Sequence, residues 1–129
     1  MKTKRGFTVL EIIVVAAFLG LAFILFFVQK SNVDAMNRDE KRKTAINAFY
    51  YALEEGFYPE NGFYPEEISE KILTVIDPAL FTDPNGFYLG TDFSSYSYEP
   101  LNCKDGKCKE YILRAELEKE DTYVKKNRN

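Results

Sequence analysis

The sequence predicts an α+β protein: a long N-terminal α-helical spine, transmembrane in its first half, packed on a small C-terminal antiparallel β-sheet. Three observations predict it. Phe7–Val28 is an apolar run broken by a single charge. Ile46, Phe49, Tyr50 and Leu53 then recur at i, i+3, i+4 and i+7, one apolar stripe on a helix. Tyr111–Leu117 alternates apolar and polar residues, the pattern of a half-buried strand. At 129 residues the chain has room for one small domain. Its 17 Lys+Arg and 20 Asp+Glu leave a net charge of -3, which speaks against a strongly basic nucleic-acid binder. It contains no histidine and two cysteines, so a cysteine-rich zinc module and the Ser-His-Asp and Cys-His catalytic sets are excluded.

The apolar run reads FTVLEIIVVAAFLGLAFILFFV. As a helix its 22 residues span roughly 33 Å, enough for a bilayer core. Lys2, Lys4 and Arg5 precede it. A basic flank before an apolar run is either a cleaved secretory signal or a retained anchor. The run exceeds the usual signal core, and Gln29-Lys30-Ser31-Asn32-Val33 is a poor cleavage site, so retention is expected. The flank predicts a cytoplasmic N-terminus. Lys30, Arg38, Lys41, Arg42 and Lys43 follow the segment, so charge counting alone does not fix orientation. Glu11 is the one charge in the run. It either reaches the headgroups, is protonated, or pairs with a positive group.

Lys4-Arg5-Gly6-Phe7-Thr8-Val9-Leu10-Glu11 resembles the class III signal of type IV pilins and type II secretion pseudopilins. The resemblance implies cleavage by a prepilin peptidase between Gly6 and Phe7, then N-methylation of Phe7. Glu11 falls on the family's glutamate at the fifth mature position. In a helix beginning at Phe7, the new amine and Glu11 stand at i and i+4 on one face. The carboxylate would meet that amine in its own chain or in a neighbouring subunit, which offsets its desolvation and sets the register of assembly. The family's helix-breaking proline is missing, since position 28 is Val28. The organisation implied is a leader at 1–6, a transmembrane and filament-core helix at 7–28, its amphipathic second half at 29–55, and a globular domain at 56–129. Implied partners are identical or related pilin subunits, the prepilin peptidase, an inner-membrane assembly platform, and membrane lipid before assembly. The precursor would be a single-pass inner-membrane protein with its C-terminal domain outside the cytoplasm.

Beyond the membrane segment, Asn37–Thr44 is polar all round and reads as solvated helix, and Gly56 is the first stop signal. A helix over Phe7–Glu55 would be about 73 Å long. The pentapeptide GFYPE occurs twice, at 56–60 and 62–66. Asn61-Gly62 marks a turn, and Asn61–Pro65 resembles a stretch that follows the long helix in many pilins. Pro65, Glu66 and Glu67 suit a first helical turn, predicting a short helix near Glu66–Val75 that buries Ile68, Ile72 and Val75.

Asp83-Pro84-Asn85-Gly86 predicts a turn, similar to a loop of major pseudopilins. Some of those bind calcium, so Asp83, Asn85 and Asp92 are candidate oxygen ligands. A twelve-residue EF loop started at Asp83 would end on Ser94 instead of Glu, and an Asx turn is the competing reading. Tyr96–Glu99 alternates like a strand, and Pro100 puts it at an edge or a bulge.

Between the strands, Asp105-Gly106 is a two-residue hairpin signal that makes Cys103 oppose Cys108. A non-hydrogen-bonded pair brings Cα atoms to about 4.5 Å, which suits a disulfide and an oxidising compartment. The same cysteines would give a metal two ligands, with no other Cys or His to complete the set. The basic tail Lys125–Asn129 reads as solvated and frayed and gives weak support for nucleic-acid contact. No cofactor is implied beyond the calcium candidate, and no catalytic residues stand out. The expected function is a filament subunit of a pilus or pseudopilus. The alternative is an unprocessed, membrane-anchored extracytoplasmic binding module.

Overall fold

The structure, a computed structural model, describes residues 6–128. The basic residues Lys2, Lys4 and Arg5 of the expected leader lie outside the described residues. The chain forms two units, Met1–Asp34 and Ala35–Asn129. Helix α1 runs Val9–Tyr51.

In the first unit, every residue from Gly6 to Ser31 is exposed. From Ile12 to Val28 the run is apolar all round. It is long and apolar enough to cross a membrane.

In the second unit, the remainder of α1 packs against small antiparallel sheets. Ile46, Phe49 and Leu53 of the expected stripe are fully buried, and Tyr50 is half-buried. Phe49 packs at a tilt against Phe81 (ring centroids 4.9 Å apart) and meets Tyr96 edge-on at 6.2 Å. The three-stranded sheet has the order β2-β4-β5, with β2 at Tyr96–Leu101, β4 at Glu110–Ala115 and β5 at Tyr123–Lys126. Tyr111, Leu113 and Ala115 of β4 are fully buried, as their alternation requires. Strand β2, which holds Pro100, is an edge of this sheet. A second sheet pairs β1, Tyr64–Pro65, with β3, Lys107–Cys108.

The Asp105-Gly106 turn forms as expected. Lys104 and Lys107 exchange both backbone hydrogen bonds, at 2.8 and 3.1 Å. Asp105 and Gly106 both have positive φ, 53° and 76°, the conformation a tight hairpin turn demands. Cys103 and Cys108 are joined by a disulfide with their Cα atoms 3.9 Å apart.

Four expectations are corrected. Gly56 does not stop the helix. Ala52–Phe57 continues it as a π-helical segment, with the Tyr58 N–H bonded to the Leu53 carbonyl, and α2, Tyr58–Asn61, follows. Pro59 explains the wider turn: it lacks an N–H, and its ring would clash with the carbonyl four residues earlier in regular α geometry. The stop falls at Gly62, which is left-handed (φ 76°).

No helix forms over Glu66–Val75. The segment is turns: Ile68 and Leu73 are buried, but Val75 is 79% exposed. The tail is not frayed through Lys126, because β5 pairs with β4. Nor is Asn37–Thr44 solvated all round, since Asp39 and Arg42 are each only 2% exposed.

Candidate functional site

The N-terminal end of α1 carries the first set of expected site residues. Gly6, Phe7 and Thr8 precede the helix, which begins two residues after Phe7. Thr8 caps it: its Oγ1 accepts from the Glu11 N–H at 3.2 Å, and its carbonyl accepts from the Ile12 N–H at 3.1 Å. Thr8-Val9-Leu10-Glu11 is a capping-box sequence, with Glu11 at the third helical position. A carboxylate there also faces the positive end of the helix dipole.

With the Gly6–Phe7 bond intact, Phe7 is outside the helix, so the i,i+4 pairing on one helical face is not formed. Gly6, Phe7, Thr8 and Glu11 instead line one open cleft. Gly6, Phe7 and the Glu11 carboxylate therefore share one accessible surface. Phe7 is 75% exposed, and Phe18, Phe23, Phe26 and Phe27 are each more than half exposed. Phe27 touches both Phe23 and Phe26 (centroids 6.5 and 5.8 Å).

Asp83 is buried in an Asx turn. Its Oδ1 accepts from the Asn85 and Phe87 N–H groups, both at 2.9 Å. Its Oδ2 accepts from the Ser95 N–H at 2.8 Å and the Ser95 hydroxyl at 2.9 Å. Burial opposes ionisation, yet these donors hold the carboxyl below its ordinary range. A carboxylate has about four lone-pair sites, and the protein fills as many from within. Asn85 and Asp92 are exposed. The three residues do not fit a calcium site, and the turn accounts for Asp83 by itself.

Two buried polar centres tie the helical segments of the second unit to the rest of that unit. Arg42 donates to Asp39 (2.9 Å), Glu118 (2.8 Å) and Ser95 (3.2 Å). Asp39 also accepts from the backbone N–H groups of Glu118 and Lys119, at 2.8 and 2.9 Å. Burial raises the Asp39 pKa, but those amides and Arg42 outweigh it and the net shift is downward. Glu118, bonded by Arg38 and then Arg42, is lowered to about 2.

The second centre is Glu54, 6% exposed, whose carboxylate accepts from the hydroxyls of Tyr64 and Tyr111 and from the Arg128 N–H. Among the described residues no buried side-chain nitrogen or oxygen lacks a hydrogen bond.

Sequence reasoning missed these buried charges. The signal was present: Asp39 and Arg42 continue the Ile46, Phe49, Leu53 stripe toward the N-terminus at helical spacing, and Glu54 follows Ile46 and Tyr50 at steps of four. What the arrangement offers is structural chemistry. The second unit is internally satisfied and tied to its helix, while the first presents an apolar surface. Comparisons with known proteins found no matching family model, no matching curated protein and no matching solved structure.

Proposed function

We propose that the chain is the structural subunit of a type IV pilus or type II secretion pseudopilus. A prepilin peptidase cuts it between Gly6 and Phe7 and methylates Phe7, and its N-terminal helix then assembles into a filament core. One observation carries this reading. The apolar face of the helix is exposed around its whole circumference from Val9 to Val28, directly after a Gly-Phe-Thr-Val-Leu-Glu sequence whose acid stands at the helix start.

Such a surface is stable only in lipid or against other apolar helices. In the precursor it lies in the inner membrane, with the second unit outside the cytoplasm, a side the disulfide suits. On assembly the helix exchanges lipid for neighbouring subunits and gains the packing of Phe18, Phe23, Phe26 and Phe27. Cleavage gives Phe7 an ammonium group and frees it from its preceding peptide, which lets the helix extend to it. Glu11 then meets that ammonium, or that of a neighbour, at low dielectric. Identical or related subunits, the peptidase and an inner-membrane assembly platform are the partners this requires.

The N-terminus of the protein isolated from its native membrane tests the reading. Mass spectrometry should find methylated Phe7, and Gly6→Val should remain full length. A wild-type chain that retains Met1 and never polymerises beside its own assembly machinery overturns the reading and leaves an anchored binding module. Glu11→Ala should insert normally and assemble poorly; normal filament yield from that variant counts against the pairing.

A further inference from the structure

Two sulfurs and a carboxylate meet at the tip of the cysteine hairpin. β1 pairs with β3 in the register Tyr64↔Cys108 and Pro65↔Lys107. The next residue, Glu66, is thereby delivered beside the cysteine pair. A carboxylate oxygen of Glu66 and the Sγ atoms of Cys103 and Cys108 all lie within 4.8 Å of one another. The sequence supplies only two soft ligands, five residues apart; the fold adds a third from 37 residues before Cys103.

While the sulfurs are bonded to each other they are poor ligands. Reduction changes that. Zinc binds thiolate at about 2.3 Å and carboxylate at about 2.0–2.2 Å, so tetrahedral ligand atoms stand roughly 3.5–3.8 Å apart. Glu66 needs only a small approach to reach that spacing, and the sulfurs need only separate by side-chain rotation across the hairpin. Glu66 and Cys103 are exposed, so the site has an open side, while Cys108 is fully buried and fixes one ligand in place.

We propose that the reduced chain binds one zinc ion through Cys103, Cys108 and Glu66, with water as the fourth ligand. The hairpin tip then has two closed forms, one held by the disulfide and one by the metal. A phosphine reductant brings about the change in vitro. It breaks the S–S bond, is oxidised to its phosphine oxide with oxygen from water, and the two protons of that water end on the sulfurs. Zinc binding then releases both thiol protons. A dithiol carries out the same two-electron reduction through a mixed disulfide and becomes a disulfide itself. The inference stands on the hairpin alone and does not depend on the filament reading.

The test uses the full chain in detergent micelles, reduced with a phosphine under anaerobic conditions and titrated with zinc against a chromogenic chelator. Cadmium, whose thiolate charge-transfer band reports sulfur ligation, serves as a second probe. The reduced chain should bind one equivalent of zinc at least roughly tenfold more tightly than the oxidised chain. Glu66→Gln should keep the cadmium band and lose about tenfold or more in zinc affinity, since removing a direct ligand should cost at least as much as removing a ligand's hydrogen-bonding partner. Glu66 is exposed, so circular dichroism of this variant should match the wild type. Equal zinc affinity in reduced and oxidised chains overturns the site. Undiminished affinity in Glu66→Gln overturns the three-ligand assignment.

Discussion

The Tyr111 hydroxyl donates to Glu54 Oε1 at 2.8 Å, joining the centre of the sheet to the π-helical turn across 57 residues of sequence. The Tyr64 hydroxyl donates to the same carboxylate from β1 at 3.0 Å. The Arg128 N–H reaches it from the chain's far end at 3.1 Å. One buried acid thus gathers three separate segments. Burial, and then the hydrogen bond to Glu54, push the Tyr111 pKa well above the usual tyrosine range. The hydroxyl therefore stays protonated and remains a donor.

Replacing Glu54 with leucine should cost more than replacing either tyrosine with phenylalanine. Tyr111→Phe removes one hydrogen bond to a charged acceptor that keeps its other donors, a loss of about 1.5–3 kcal/mol. Glu54→Leu removes the shared acceptor of two buried hydroxyls and a backbone N–H at once. Urea unfolding of the three variants, each with an unchanged m-value, checks the order.

Arg42→Met should destabilise the second unit by about 3–5 kcal/mol, because it leaves the Asp39 carboxylate buried beside Glu118 without its cation. Asp39→Asn in the same background should recover part of that loss. A double-mutant cycle on the two residues reads the coupling directly.

Stability should fall on acidification below about pH 4. Asp39, Asp83 and Glu118 all have folded pKa values below their ordinary ones. A group whose folded pKa is depressed contributes stability above its unfolded pKa, near 4, and loses it as pH falls through the folded value. For Glu118 that value is about 2, so the decline should extend from about pH 4 toward about pH 2. Thermal midpoints across this range measure it. Arg42→Met should flatten the profile, since it removes a bond to two of the three acids.

The repeated pentapeptide allows a paired test on glycine. Gly62→Ala should destabilise by about 1–2 kcal/mol, because φ is 76° there and a β-carbon is strained in the left-handed region. Gly56→Ala should be neutral or stabilise by up to about 1 kcal/mol. It sits inside a helical segment, with open space where a β-carbon would go. Chemical denaturation should show a loss of stability in Gly62→Ala and none in Gly56→Ala.

Much of the architecture was legible because it rests on local pattern. The apolar run, the Ile46–Leu53 stripe, the alternation of β4 and the Asp105-Gly106 turn each specify their element within a few residues. The Asp83 turn was legible for the same reason, since its carboxylate bonds to amides two and four positions on. The buried ions were not legible. Asp39 and Arg42 look like solvent-facing helix charges until Glu118 and Ser95 arrive from more than 50 residues away. The tail behaved likewise: Tyr123–Lys126 is a strand only because β4 offers it an edge.

GFYPE separates the two kinds of determination most sharply. At 56–60 it continues a helix; at 62–66 it holds a left-handed glycine and a strand. The same five residues carry the same intrinsic preferences, so propensity cannot be the cause of the difference. The first copy inherits a helix already nucleated upstream and extends it past Pro59 by widening one turn. The second follows Asn61-Gly62, where the chain reverses, and it is held extended by pairing with Lys107 and Cys108. Sequence by itself determined the exposed apolar helix, its capped start and the cysteine turn, because each is fixed by neighbours within a turn or two. Tertiary structure decided which charges are buried, where the tail lies and what stands beside the cysteines, because those depend on partners that only the closed fold brings within hydrogen-bonding reach.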